Sequence, residues 1–304
     1  MTYFLQTIVD AISLGSLYAL AALGIGLLFG ILRLVNFAHG DYIAIGAYAL
    51  IIPSGDPIAT LFIGSWPWIL MIVAVIAVVV VMALCSDRLV FRHLRSDNPT
   101  SLMIASFAVG YIIQNLLLMI YGARPKSVGL WSGLTEIVTI AGLRIPMLQL
   151  VIIGVSFLLL VALVAFMRFT RFGLQMRAAA EDFRMARYLG VRADFVIGLA
   201  FAISGMLAAV VSLLFLAQTG TLAPTMGAGL VLYAFVATVL GGMGSLAGAV
   251  LGGYMIGLLI TLLQTYLPPD LRPFRDAFMF AALILILLVR PSGIIRVKAL
   301  EERV

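Results

Sequence analysis

From Ile8 to Val289 the chain is a succession of apolar runs, several of them about twenty residues long and nearly free of charge. As a helix, each long run can cross a bilayer core of about 30 Å. In hydrocarbon every backbone polar group must be satisfied internally, which leaves helices as the spanning element. The predicted fold class is therefore all-α: a polytopic transmembrane bundle of eight to nine membrane segments, some short or broken, forming one domain over 1–304. Composition agrees, since 63% of the 304 residues are hydrophobic and only 11% are charged, which no ordinary soluble domain matches. The net charge of +6 does not indicate a nucleic-acid partner, because the basic residues sit mainly in the breaks between apolar runs. There they record membrane topology.

In order, the runs cover about Ile8–Phe29, Tyr42–Ile52, a segment after Trp66 and Trp68 that ends at Cys85, Asn98–Tyr121, and Leu148–Met167. About Phe195–Ala217, Gly229–Leu240, Leu246–Tyr266 and Ala277–Val289 follow. Trp66 and Trp68 stand where interfacial aromatics belong, and Arg88, Arg92, His93 and Arg95 follow the third run as a cytoplasmic signal. If all nine runs cross, the alternation is self-consistent. It places Arg88–Arg95, Arg171–Arg192 and the C-terminus, with Arg290, Arg296 and Lys298, in the cytoplasm. The N-terminus and the 122–147 loop lie outside. No Lys or Arg precedes Arg33, so the first run reads as a retained span. Gly26 and Gly30 permit close helix contact, and Gly244, Gly248 and Gly252, with Gly253 and Gly257, predict a glycine packing face. Cys85, the single cysteine, reads as a packing residue at a span end.

One break is long. Arg171 to Arg192, RFGLQMRAAAEDFRMARYLGVR, reads as a short helix with Ala178–Ala180 as its best formers and Leu189-Gly190 as its stop signal. Glu181 and Arg184 can pair on one face. Ala179, Phe183, Ala186 and Gly190 predict a small-residue face suited to a groove on another protein. A plain basic loop explains the arginines but not the adjacent acids or the terminating glycine.

A second break, Arg33 to Asp41, separates the first two runs. Two readings of Asn36, His39, Gly40 and Asp41 stand. In one they form a helix junction, with Asn36 or Asp41 accepting free backbone N–H groups and Gly40 making the turn. In the other they line or gate a pathway, as polar groups inside membranes do. Gln114, Asn115 and Gln264 suggest interhelical hydrogen bonds. The broken stretches Gly30–Ile52 and Gly229–Gly253 each carry a glycine-rich interruption followed by Gly and Tyr, a pattern that points to a pseudo-repeat.

Energy coupling is missing from the chain itself. Its two lysines, Lys126 and Lys298, fit no phosphate-binding loop. There is no His/Cys/Glu cluster for a metal and no nucleophile–base motif for an embedded enzyme. No catalytic residue is expected.

The motifs also resemble a family. Asn36-Phe-Ala-His-Gly-Asp41 resembles the N-terminal signature of branched-chain amino acid ABC importer permeases of the LivH type. Arg177-Ala-Ala-Ala-Glu-Asp182, continuing to Leu189-Gly190-Val191, is similar to that family's cytoplasmic loop. Gly241-Gly-Met-Gly-Ser-Leu-x-Gly248 and Arg290-Pro-Ser-Gly293 are similar to its C-terminal half. The resemblance implies a non-catalytic inner-membrane subunit that binds no cofactor, with ATP and Mg on partner subunits. The implied partners are a second, LivM-like permease, two cytoplasmic ATPase subunits and a periplasmic binding protein. Arg177, Ala180, Glu181, Asp182, Arg184, Leu189 and Gly190 would lie in the coupling segment. The implied substrate is a branched-chain or other small apolar amino acid, with amides or urea as alternatives. A stand-alone secondary transporter using Asp41 and His39 is the competing class.

Overall fold

The computed structural model describes residues 2–95, 99–140, 142–291 and 293–295, without the side chains of residues 99, 132, 135, 140, 183, 184 and 193. Ser292, Arg296 and Lys298 lie outside the described residues. The chain opens with α1 (Thr2–Leu32), followed by a break and α2 (His39–Tyr48). A small hairpin, β1 (Ile51–Ile52) with β2 (Thr60–Leu61), closes around the Pro53–Pro57 turn. Next come α3 (Trp68–Ser86), a π-helical turn at Asp87–Phe91, α4 (Arg92–Leu94) and α5 (Pro99–Tyr121). The long loop holds β3 (Lys126–Ser127) and the hairpin of β4 (Ile137–Ile140) and β5 (Leu143–Pro146). Then follow α6 (Met147–Phe169), α7 (Arg171–Glu181), α8 (Phe183–Tyr188) and α9 (Ala193–Thr219). After β6 (Thr221–Leu222), which pairs with β3, the chain ends in α10 (Met226–Gly241), α11 (Leu246–Tyr266) and α12 (Arg275–Val289). The chain is predominantly helical, as expected, and among the described residues six strands of two to four residues are added to the helices. The strands sit in loops, where backbone groups need partners that no helix supplies.

Each of the nine apolar runs contains a helix, but the helices are unequal, and the second run ends in β1. Among the described residues six helical stretches are long and apolar enough to span: α1, α3 extended to Leu94, α5, α6, α9 and α11. The others, α2, α10 and α12, have 10, 16 and 15 residues. At 1.5 Å per residue, α2 reaches only about 15 Å, so it is a half-helix. The more buried long helices are α1 and α9, whereas the more apolar α3 and α6 are largely exposed. Lipid is as apolar as leucine, so α3 and α6 lose little by facing it.

Two compact units emerge: Met1–Gly26 with Trp131–Leu163 and Tyr233–Val304, and Leu27–Leu130 with Val164–Leu232. In the first, α11 is the hub. Gly253 and Gly257 lie against Ala19 and Gly15 of α1, while Gly248 and Gly252 lie against Gly241 and Ala237 of α10. A Cβ at any of the four would overlap backbone atoms. Gly244 does not belong to this face. It has φ +91° and no close neighbour, because it serves the turn before α11. Ser245 then caps α11 by accepting from Gly248 N at 3.0 Å. The Arg290-Pro-Ser-Gly293 motif brings Ile294 N and Ile295 N to the Leu240 and Gly241 carbonyls at 2.9 and 3.0 Å, so the tail satisfies the exposed C-terminal end of α10.

In the second unit α2 is buried among α3, α5 and α9. Gly46 lies against Ser212 and Val79, and Gly205 against Ala83. Cys85, expected to pack inside, is exposed, because it falls on the outward face of α3, opposite Ala83. The two stretches expected to correspond do not share an element pattern. By element order the counterpart of the 33–38 break and α2 is the 220–225 break and α10, not the glycine turn at 241–245. Each break has six residues and follows a long helix, and Gly40 and Gly227 are the second residues of the short helices. Those two glycines pack backbone to backbone.

Candidate functional site

The Arg33–Asp41 break starts with Arg33 at φ 55°, a left-handed residue that ends α1 where glycine is usual. Gly40 is not the turn. It lies inside α2, and a Cβ there would overlap the Gly227 carbonyl. α5 pins the break: Phe37 N donates to Ser106 Oγ at 3.2 Å, and the Phe37 and Phe107 rings stack at 4.2 Å. Asn36 Oδ1 accepts from Ala38 N at 3.1 Å, which is the local turn predicted for a junction residue. Asp41 is not a cap. Its Oδ1 accepts from Gln114 Nε2 of α5 at 2.8 Å, and its other oxygen lies over Gly110. His39 is fully buried, with Nδ1 3.1 Å from Ser204 Oγ of α9 and no hydrogen-bond partner at Nε2. Asn36, His39, Gly40 and Asp41 are therefore brought together, but each faces a different neighbour.

Of the other polar singletons, Gln264 Oε1 accepts from Arg275 Nη1 at 3.2 Å, between helices as expected, while Asn115 bonds back to Tyr111 O of its own helix. Asp10 escaped the sequence reading. It lies in the first span and accepts from Gln149 Nε2 of α6 at 2.8 Å. An acid among apolar neighbours, with a glutamine in another run, was the signal that could have found it.

The segment from Arg171 to Arg192 is two helices, not one. Thr170 Oγ1 caps α7, accepting from Gly173 N at 3.0 Å. Asp182 is extended, with φ −144° and ψ 106°, and its Oδ1 accepts from Met185 N at 3.0 Å. The second acid thus starts α8. At its end, Gly190 has φ +86° and donates to Arg187 O at 3.0 Å, while Val191 N donates to Ala186 O at 3.0 Å. Those two bonds are the Schellman closure that the glycine announces.

Side-chain directions correct the expected docking face. Ala179 and Ala186 are buried within the chain. The Phe183 and Arg184 side chains, with the Glu181–Arg184 pair, lie outside the described residues. The outward residues are Met185, Tyr188 and Leu189, the last two 86% and 80% exposed. Arg177, Glu181 and Asp182 are also exposed, and Ala180 is half-buried. Gly173, Met176, Ala179 and Ala186 mark where this segment meets its own chain, and Met185, Tyr188 and Leu189 are left free.

Three comparisons bear on this arrangement. Residues 7–287 match the family model described as branched-chain amino acid transport system / permease component. The chain is 34% identical over 303 residues to the high-affinity branched-chain amino acid transport system permease protein LivH of Salmonella typhimurium, covering 96% of each chain. It is 31% identical over 298 residues to the corresponding protein BraD of Pseudomonas aeruginosa, again over 96% of each. The autoinducer 2 import system permease protein LsrC of Escherichia coli shares 33% identity over half of each chain. No solved structure matches.

Proposed function

The chain belongs to the branched-chain amino acid transport permease family, a family of multi-pass inner-membrane transport subunits, and from that premise we propose that it is the translocation subunit of an ABC importer for branched-chain or other small, largely apolar amino acids. It works with a second permease, two cytoplasmic ATPase subunits that hold ATP and Mg, and a periplasmic binding protein. Substrate breadth within the family, including amides or urea, is set mainly by the binding protein.

The observation that carries this reading is α8. It is closed at both ends and leaves Met185, Tyr188 and Leu189 in the open. Exposed bulky apolar side chains on a capped helix, in a cytoplasmic position by the charge alternation, suit a groove on an ATPase. Arg177, Glu181 and Asp182 form the polar surround. Ala180 and Gly190 shape the segment, and Arg184 lies on the same short helix. ATP-driven closure of the partners pushes α7–α8 as a lever. The buried Ala179 and Ala186 transmit that push to the rest of the chain. Asn36, His39, Gly40 and Asp41 lie at the junction that responds.

The test is co-purification from native membranes. Wild type brings down the ATPase and the second permease. Tyr188→Ala/Leu189→Ala and Glu181→Arg lose the ATPase and keep the permease. If wild type comes down alone and carries substrate into liposomes without ATP, the reading fails.

The buried carboxylate and imidazole of Asp41 and His39 favour a second reading, a stand-alone carrier coupled to protons. In that case Asp41→Asn abolishes gradient-driven uptake, whereas the importer keeps ATP-driven uptake.

A further inference from the structure

A cleft of about 500 Å³ opens where the end of α3 meets the start of α9. Its apolar wall includes Leu84, Phe195 and Leu199, and its polar rim is formed by Arg88, Arg92 and Arg95 with Asp87 and Asp194. Two of the arginines are held. Arg92 pairs with Asp194 at 2.7 Å, and Arg95 bridges Asp194 and Asp87 at 2.8 and 2.5 Å. Arg88 is exposed and has no ion-pair partner among the described residues. The π-helical turn at Asp87–Phe91 inserts an extra residue into the helix register. Asp87 is buried there while Arg88 faces out.

Depth supports a lipid occupant. Trp68 begins α3 at the interfacial aromatic position, and Arg88 follows twenty residues later. At 1.5 Å per residue this is about 30 Å, one hydrocarbon thickness. Arg88 is thus at headgroup level on the opposite face, with the exposed Val81, Cys85 and Leu89 beside it. Gly198 meets only the tip of Leu84, at 3.9 Å from where a Cβ would stand, so the floor has room for an acyl chain. Three guanidiniums face two carboxylates, leaving one positive charge.

We propose that this cleft is a binding site for an anionic phospholipid of the surrounding bilayer, with its phosphate on Arg88 and an acyl chain along Leu84, Phe195 and Leu199. Basic pockets between spanning helices on the cytoplasmic side take such headgroups. The site depends on the membrane placement of α3 and not on which substrate or ATPase the chain serves. It would tie α9, which begins just after the α7–α8 segment, to α3 through a lipid.

The experiment uses the full-length chain labelled with bimane at Cys85, in nanodiscs containing either brominated phosphatidylglycerol or brominated phosphatidylcholine as a minor component. The half-saturating mole fraction for quenching should be about fivefold lower for the anionic lipid than for the zwitterionic one, which is one basic side chain's worth near a charged surface. Arg88→Gln should remove the preference. Because Arg88 is exposed and has no ion-pair partner among the described residues, that variant should keep its thermal midpoint. Arg124→Gln, at the cleft beside the Pro53–Pro57 turn, should leave the preference intact. Equal quenching by both lipids in wild type overturns the proposal. So does an unchanged preference in Arg88→Gln, which would assign the effect to general surface charge.

Discussion

Gly40 and Gly227 are separated by most of the chain, yet each occupies the place where the other's side chain would be. Gly40→Ala should therefore cost about 1–3 kcal/mol through overpacking. Gly154→Ala, in α6 with open space around it, should be neutral or stabilise by up to about 1 kcal/mol through helix propensity. Thermal melts of the solubilised chain, followed by circular dichroism, separate the two. Asp41 gives a second residue-scale contrast. Asp41→Asn keeps an acceptor for Gln114, so it should cost less than Asp41→Leu, about 1 kcal/mol or below. Asp41→Leu strands the Gln114 amide and should cost about 1–3 kcal/mol. Equal losses in both variants would mean that the carboxylate's charge, and not its hydrogen bond, holds α2 to α5.

At the scale of elements, the segment between α6 and α9 owes its shape to three caps: Thr170, Asp182 and Gly190. Asp182→Ala removes the α8 start, worth about 1 kcal/mol. Gly190→Ala forces an alanine into the left-handed region, at about 1–2 kcal/mol. Both should speed amide exchange over residues 183–191 by roughly tenfold, the factor for about 1.4 kcal/mol, while exchange in α11 stays unchanged. Uniform acceleration would mean that α8 does not open as a local unit. Much of this element was legible in advance, since its polar boundaries and its glycine stop are local signals. The break at Asp182 was missed because Glu181 and Asp182 read equally well as exposed helix residues. The outward face was missed because small-residue periodicity says only that something packs closely, not that the partner is the same chain.

For the molecule as a whole, the nine apolar runs differ in reach, and the three short ones decide the topology. If all nine cross, a cysteine at Arg124 should label from outside intact cells. A cysteine at Arg177 should label only after permeabilisation, both in a Cys85→Ser background. Labelling of both from the same side would mean that α6, the one apolar run between them, does not cross. The exposed, strongly apolar faces of α3 and α6 are where lipid is expected to lie.

By itself the sequence determined the elements that depend on near neighbours. Apolar runs became helices because only a helix satisfies its own backbone in hydrocarbon. Ser245 and Gly190 ended or began helices because a cap acts over a few residues. The four motifs in order were enough to indicate the family. Tertiary structure alone decided which way these elements face. The Gly40–Gly227 contact, the Asp41–Gln114 bond and the inward turn of Ala179 and Ala186 join residues whose spacing along the chain carries no periodic signal. Close packing in three dimensions selects them, since a backbone can approach only where the opposing side chain is absent.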